Sequence, residues 1–131
     1  MKMNRTLAYG MAALESLSQM GRGRDWVRVK ELARAENLPV AYLNKVLKAL
    51  EKAGMVESAR GRGFRLARPL DRINVWEMME AFTFNGAPVK PGPDASQMLY
   101  TTLRKQVSTW LEGLTLEDIV QSVKKKQEKD G

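Results

Sequence analysis

Apolar residues recur at intervals of three or four near the start of the chain, which predicts an amphipathic helix over residues 6–20. The apolar face of this helix carries Leu7, Met11, Leu14 and Leu17. The glycines between residues 21 and 25 predict a loop, and the alternating residues 26–29 predict a single short strand.

Two helices joined by a very short turn are predicted next. The first covers residues 30–36, and Pro39 closes the turn because its fixed φ suits the entry to a helix. The second covers residues 40–53, and Gly54 follows it as a C-terminal cap. Its apolar stripe consists of Leu43, Val46, Leu47 and Leu50. Two helices on a tight turn, the second with a polar and basic outer face, are typical of a helix-turn-helix.

A hairpin follows the second of these helices. Residues 55–59 and 64–67 are strand-like, and the glycines of Arg60-Gly61-Arg62-Gly63 supply the positive φ angles of a tight turn. A hairpin directly after a recognition helix is a wing. The remaining elements are a helix over 74–82 that Asn74 opens, a Pro- and Gly-rich loop over 83–94, a long helix over 95–112, a last helix from 116, and a polar tail over 124–131 that we expect to fray.

The predicted fold class is therefore mainly α with a small β-hairpin wing, a winged helix-turn-helix with a long C-terminal dimerisation helix. The domain organisation that we expect has three parts. They are a DNA-binding domain over 1–82, the loop over 83–94, and the dimerisation helix, closing helix and polar tail over 95–131.

Composition narrows the possible functions. A chain of 131 residues with 44% hydrophobic and 28% charged residues is typical of one soluble globular domain. No apolar run reaches the roughly 20 residues of a membrane span, and no signal-peptide pattern opens the chain, so we expect a cytoplasmic protein. The sequence contains no Cys and no His. It therefore lacks the thiolate and imidazole groups of most metal sites and of much acid–base catalysis, and we expect no enzyme.

Charge is concentrated in the middle of the chain. The net charge is +7, and residues 22–72 hold 13 Lys and Arg against 6 Asp and Glu. One basic segment of this kind indicates an electrostatic footprint for a polyanion, although a merely solvated surface is almost as good an interpretation of charge alone.

Three stretches resemble the Rrf-type family of bacterial winged helix-turn-helix regulators, the family of IscR, NsrR and CymR. They are residues 38–47 running on to 51–56, the wing residues 58–61 with 64–67, and residues 114–119 after the long helix. The sequence departs from the family in two ways. The cysteines that hold an iron–sulfur cluster in some members are absent, so we expect neither metal nor cofactor. The wing is also shorter than is usual in the family.

The resemblance implies site residues. On the recognition helix and wing, the expected DNA contacts are Val40, Ala41, Tyr42, Asn44, Lys45, Arg60, Gly61 and Arg62. Arg28, Lys30 and Lys48 are expected phosphate contacts, although they and Lys52 are equally well explained as solubility charges; the role of Arg65 stays open because it depends on the strand register. The long helix is expected to pair with its twin through Leu99, Leu103, Val107, Trp110 and Leu114.

The sequence therefore predicts a sequence-specific DNA-binding regulator, a repressor that acts as a homodimer on a roughly palindromic operator. Expected partners are double-stranded DNA, a second copy, and either a small-molecule effector or a partner protein. The loop over 83–94 is the expected docking point for such a partner, and the alternative is that it is only a linker. A winged-helix module that binds proteins and a non-specific nucleic-acid binder are the alternatives. A gel shift with genomic DNA would identify the first alternative, and a competitor titration the second.

Overall fold

The computed structural model describes residues 5–22, 25–82 and 95–130, so the predicted loop over 83–94 lies outside the described residues. The fold is mainly helical with one antiparallel hairpin, which confirms the predicted fold class. The helices are α1 (Arg5–Met20), α2 (Val29–Glu36), α3 (Val40–Lys52), α4 (Val75–Phe82), α5 (Ala95–Leu111) and α6 (Leu116–Asp130), and the strands are β1 (Val56–Ala59) and β2 (Gly63–Leu66). A 3₁₀ turn, Leu70–Arg72, precedes α4.

One hydrophobic core joins α1, α3, the hairpin and α4. Leu14 and Leu17 of α1 are buried in it, whereas Leu7 and Met11 are only partly buried. The predicted stripe of α3 is buried throughout. Leu116 and Val120 of α6 enter the same core, so the C-terminal helix is packed onto the helix-turn-helix.

The turn between α2 and α3 is closed by a left-handed residue. Asn37 has a φ of 53°, which asparagine tolerates better than most residues, and it ends α2. The N–H of Leu38 donates to the carbonyl of Ala33 at 2.9 Å, and Pro39 then caps the start of α3. These local features set the angle at which α3 leaves the turn.

A third strand segment supports the wing. The hairpin register pairs Val56 with Leu66 and Ala59 with Gly63. Val27 forms an antiparallel bridge with Phe64 through hydrogen bonds of 2.8 and 2.9 Å, which confirms the predicted single-rung strand. Val27 can approach this closely because Gly63 has no side chain. A Cβ at Gly63 would lie 2.2 Å from the Val27 carbonyl oxygen.

The beginning of α4 is joined to the beginning of α6 by backbone hydrogen bonds. Asn74 caps α4 by accepting a hydrogen bond from the Glu77 N–H at 2.9 Å, as its spacing predicts. Asn74 forms an isolated bridge with Thr115. On either side, the Val75 N–H donates to Leu114 at 2.8 Å and the Leu116 N–H donates to Ile73 at 2.9 Å. We call this arrangement the 74/115 clasp.

The C-terminal segment differs from the expectation of a frayed tail. Helix α6 continues to Asp130. Residues after Leu116 include no glycine or proline before the end of the helix, and Lys, Gln and Glu are good helix formers. The Gln121 side chain also donates to Glu117 one turn earlier at 2.7 Å. The helix propensity of the tail residues accounts for the difference, and the Gln121–Glu117 pair supports the turn that precedes them.

Candidate nucleic-acid interface

Helix α3 presents a polar face because its apolar stripe is fully enclosed. Leu43, Val46, Leu47 and Leu50 are at most 1% exposed, so their side chains orient the helix. The opposite side carries the predicted contacts. Ala41, Lys45, Lys48 and Lys52 are exposed, and Asn44 is half-buried.

Tyr42 has a structural role that its sequence position does not reveal. Its ring packs edge-on against Tyr9 of α1, with centroids 5.4 Å apart, and it lies against the core. Its hydroxyl is 3.5 Å from the Thr6 hydroxyl. The expected DNA contact is therefore also a residue that fixes α3 against α1.

A groove runs between the two helices and the wing. It is lined by the start of α2, the first residue of α3 and the tip of the hairpin. Six of the predicted DNA contacts border it, namely Arg28, Lys30, Val40, Arg60, Gly61 and Arg62. The other predicted contacts, Ala41, Tyr42, Asn44, Lys45 and Lys48, lie along α3 outside this lining. The structure thus brings the basic residues at the start of α2 and at the wing tip together in one groove.

The three arginines of the wing differ in their surroundings. Arg60 and Arg62 are exposed at the tip. Arg65 lies on β2, where it pairs with Glu57 across the hairpin and stacks 4.3 Å above the Trp26 ring. The register therefore directs Arg65 toward the wing's own residues, and Trp26 serves as a platform within the fold.

Arg68 is a positioning residue that the sequence does not single out. Its guanidinium donates to the carbonyls of Arg72 at 2.9 Å and Gly54 at 3.4 Å and pairs with Glu77 at 2.6 Å. These contacts tie the base of the wing to α4. No local pattern could reveal the contacts with Gly54 and Glu77, because these partners lie on other elements of the fold.

Helix α5 carries an exposed apolar face. Leu99, Leu103, Val107 and Trp110 are 60%, 54%, 39% and 77% exposed, respectively. Met98, which sequence reasoning omitted, is 63% exposed beside them. Leu114 differs from the other predicted interface residues, since it is half-buried beyond the end of α5 and its carbonyl belongs to the 74/115 clasp.

Another side of α5 packs against α4. Arg104 pairs with Glu80 and lies 5.8 Å from the centre of the Trp76 ring. Trp76 itself is buried. The glutamates that could suggest a catalytic pair are thus each engaged by an arginine, Glu77 by Arg68 and Glu80 by Arg104.

Comparison with known proteins places this arrangement in a family. Residues 3–122 match the family described as "Rrf2: Iron-dependent Transcriptional regulator". The regulator IscR of Cereibacter sphaeroides is 31% identical over 137 residues, covering 93% of this chain and 88% of that protein. CymR of Bacillus subtilis is 28% identical, with coverage of 98% and 96%.

Solved structures agree with the sequence matches. The structure of CymR, the global cysteine regulator of B. subtilis, superposes with a TM-score of 0.63 at 28% identity and covers 91% of this chain and 95% of that one. IscR from T. potens gives a TM-score of 0.68 at 27% identity, with coverage of 97% and 91%. These relatives are transcription regulators and not enzymes.

The family description names iron, and the residues of this chain do not fit an iron–sulfur cluster. Such clusters are held by thiolates and in some cases imidazoles, and the sequence contains neither Cys nor His. Within residues 5–22, 25–82 and 95–130, no group of three or more acidic side chains could hold a metal ion. None of the helices in these ranges is long and apolar enough to cross a membrane. With a helix-turn-helix, a basic groove and a wing in the expected order, the chain belongs to the Rrf2 family of bacterial DNA-binding transcription regulators.

Proposed function

We propose that this regulator is a sequence-specific repressor that binds a roughly palindromic operator as a homodimer, without an iron–sulfur cluster. The observation that carries the proposal is the groove in which the start of α2, the start of α3 and the wing tip meet. Its cations come from two separate segments of the chain, Arg28 and Lys30 at the start of α2 and Arg60 and Arg62 at the wing tip. The exposed first residue of α3, Val40, lies between these two segments in the groove lining.

The proposed docking places the N-terminal half of α3 in the major groove. Asn44 is then a base contact, because its amide can bond both N6 and N7 of adenine. In this docking Lys45 contacts guanine or phosphate. Lys48 lies one turn beyond Asn44 and contacts phosphate, as do Arg28 and Lys30 from α2. Arg60 and Arg62 reach a minor groove or its phosphates from the wing tip.

The homodimer rests on the exposed face of α5. Met98, Leu99, Leu103 and Trp110 of this helix are each more than half exposed, which is unfavourable for a monomer in water. A second copy of the same helix would cover them symmetrically, and a symmetric dimer favours a palindromic site.

We expect repression because a bound dimer occupies promoter DNA that polymerase needs, and we expect the protein in the cytoplasm, where the chromosome lies. A small-molecule effector or a partner protein would supply the signal.

Two substitutions on α3 test the proposal. Asn44→Ala should change which sequences are selected from a random DNA pool, because it removes a base contact. Lys48→Ala should weaken binding to all sequences alike and reduce the slope of log affinity against log salt by about 1, because it removes one phosphate contact.

Selection and competitor titration distinguish the alternatives. An unchanged motif for Asn44→Ala would remove its assignment as a base contact. Equal competition by unrelated DNA would indicate a non-specific binder, and no binding to any genomic fragment would indicate a protein-interaction module.

A further inference from the structure

Val40 is an apolar residue in a cationic groove. It is the first residue of α3 and is 40% exposed. Within residues 25–82, which the structure describes without a gap, no other large apolar side chain is exposed to this extent. Valine is a modest helix former, and this one is not part of the core. Neither helix propensity nor burial accounts for a valine here.

The position of Val40 is favourable for contact with a base. It borders the groove, which has Arg28 and Lys30 at the start of α2 on one side and the wing tip on the other. Residues four apart lie above one another on a helix, so Val40, Asn44 and Lys48 form one line along α3, at the edge of its polar face. Val40 is at the N-terminal end of that line, which recognition helices direct toward base edges.

We infer that Val40 is a specificity-determining residue that contacts the C5-methyl group of a thymine in each half-site. The inference rests on the proposed function, and it adds the kind of base that the groove selects. Among the base edges in the major groove, the thymine methyl is the apolar group. One helical turn is about 5.4 Å and one base step about 3.4 Å, so Val40 and Asn44 can reach the same or adjacent base pairs.

The cations of the groove cannot supply this selectivity. Arginine and lysine attract any phosphate backbone, and backbone contacts carry no direct sequence information. An apolar contact gains free energy only where a methyl group is present. A thymine next to an adenine would satisfy Val40 and Asn44 together, so we expect an A·T step in each half-site.

Deoxyuridine provides the test because it differs from thymidine only by the missing methyl group. The operator is first selected from a random pool with wild-type protein, and each thymine of one half-site is then replaced in turn. At one thymine the replacement should raise the Kd of the wild type about three- to fivefold, as expected for one buried carbon at about 0.8 kcal/mol. Val40→Ala should bind the parent operator more weakly by a similar factor and should be indifferent to the same replacement.

Lys48→Ala is the matched control on the same line of α3. It should lower affinity for every operator while keeping the wild-type response to deoxyuridine. If no replacement weakens the wild type, or if Val40→Ala keeps the full response, the inference is wrong while specific DNA binding stands. If the wild type selects no sequence, the proposed function fails and the inference fails with it. Circular dichroism of each variant checks that the fold is intact.

Discussion

Two glycines of the wing adopt positive φ, but only one of them is also confined by a neighbouring strand. Gly61 has a φ of 78°, and a Cβ there would meet nothing within 4 Å. Gly63 has a φ of 106°, and a Cβ there would lie 2.2 Å from the carbonyl oxygen of Val27. Gly61 is needed only for the positive φ of the turn, whereas Gly63 also permits the contact of the wing with the strand segment at Val27.

Alanine at each position separates the two effects. Gly61→Ala should lower the free energy of unfolding by about 1 kcal/mol, the cost of a left-handed alanine. Gly63→Ala should cost at least ~2 kcal/mol more, because the wing must move away from Val27 and its bridge with Phe64 must break. Urea denaturation of both variants measures the difference, and equal losses would contradict the steric explanation.

The exposed and the paired arginines of the wing should differ in how much they contribute to the salt dependence of DNA affinity. Arg60 is exposed at the tip, whereas Arg65 is stacked on Trp26 and paired with Glu57. Arg60→Ala should therefore reduce the slope of log affinity against log salt by about 1, and Arg65→Ala should leave the slope unchanged. Titrations of a fixed operator between 50 and 200 mM salt, roughly the range over which such contacts are resolved, measure both slopes. A reduced slope for Arg65→Ala would assign it to DNA.

The elements of the helix-turn-helix can be predicted from the sequence because their signals are local. Pro39 and Gly54 bracket α3, and an apolar stripe of helical period lies between them. The contacts that orient the wing cannot be predicted in this way. Arg68 has partners 4, 9 and 14 residues away, and the stack of Arg65 on Trp26 depends on strand register. Local pattern predicts where an element begins and ends, while long-range contacts decide which way its side chains point.

The beginning of α6 is an element whose cap is reciprocal. Thr115 accepts a hydrogen bond from the Asp118 N–H at 3.1 Å, and Asp118 accepts one from the Thr115 N–H at 3.0 Å. This capping box satisfies two backbone N–H groups at the start of the helix. The backbone N–H of Thr115, and then its side chain, hold the pKa of Asp118 below its usual range.

The lowered pKa predicts a pH dependence. The ionised carboxylate stabilises the fold above the pKa of the unfolded chain, about 3.9, and this contribution is lost as pH falls through the lower folded value. The Tm of Asp118→Ala should therefore be below that of the wild type at pH 7, and the gap should narrow below about pH 4. Glu112→Ala removes an exposed acid outside any cap and is the control. A gap that is constant with pH would contradict the assignment.

At the scale of the whole molecule, α5 should determine the oligomeric state. Replacing Leu103 and Val107 together with serine removes apolar surface from the exposed face without touching the contacts of Arg104 with α4. We expect the wild type to sediment as a dimer at micromolar concentration and the double variant as a folded monomer. Lys105→Ser, on the same helix, should remain dimeric. A monomeric wild type would overturn the proposed dimer.

The absence of cysteine and histidine also has a consequence for the whole protein. Freshly purified protein should contain no stoichiometric iron and show no visible absorbance of a cluster, because the chain offers no thiolate or imidazole ligand. The same preparation should bind DNA. Elemental analysis, a visible spectrum and a gel shift check this on one sample. Stoichiometric iron, or DNA binding only after iron is added, would contradict it.

The 74/115 clasp has a consequence for how the chain can vary in length. Its backbone hydrogen bonds bring residues 73–75 against 114–116, so the intervening forty or so residues begin and end at one place. Loop closure becomes only slightly more costly with length, by about 0.6 kcal/mol for each doubling. Insertions or deletions between α4 and α5 should therefore leave the recognition helix and wing undisturbed. The segment between α4 and α5 can therefore vary in length while the helix-turn-helix and wing stay the same.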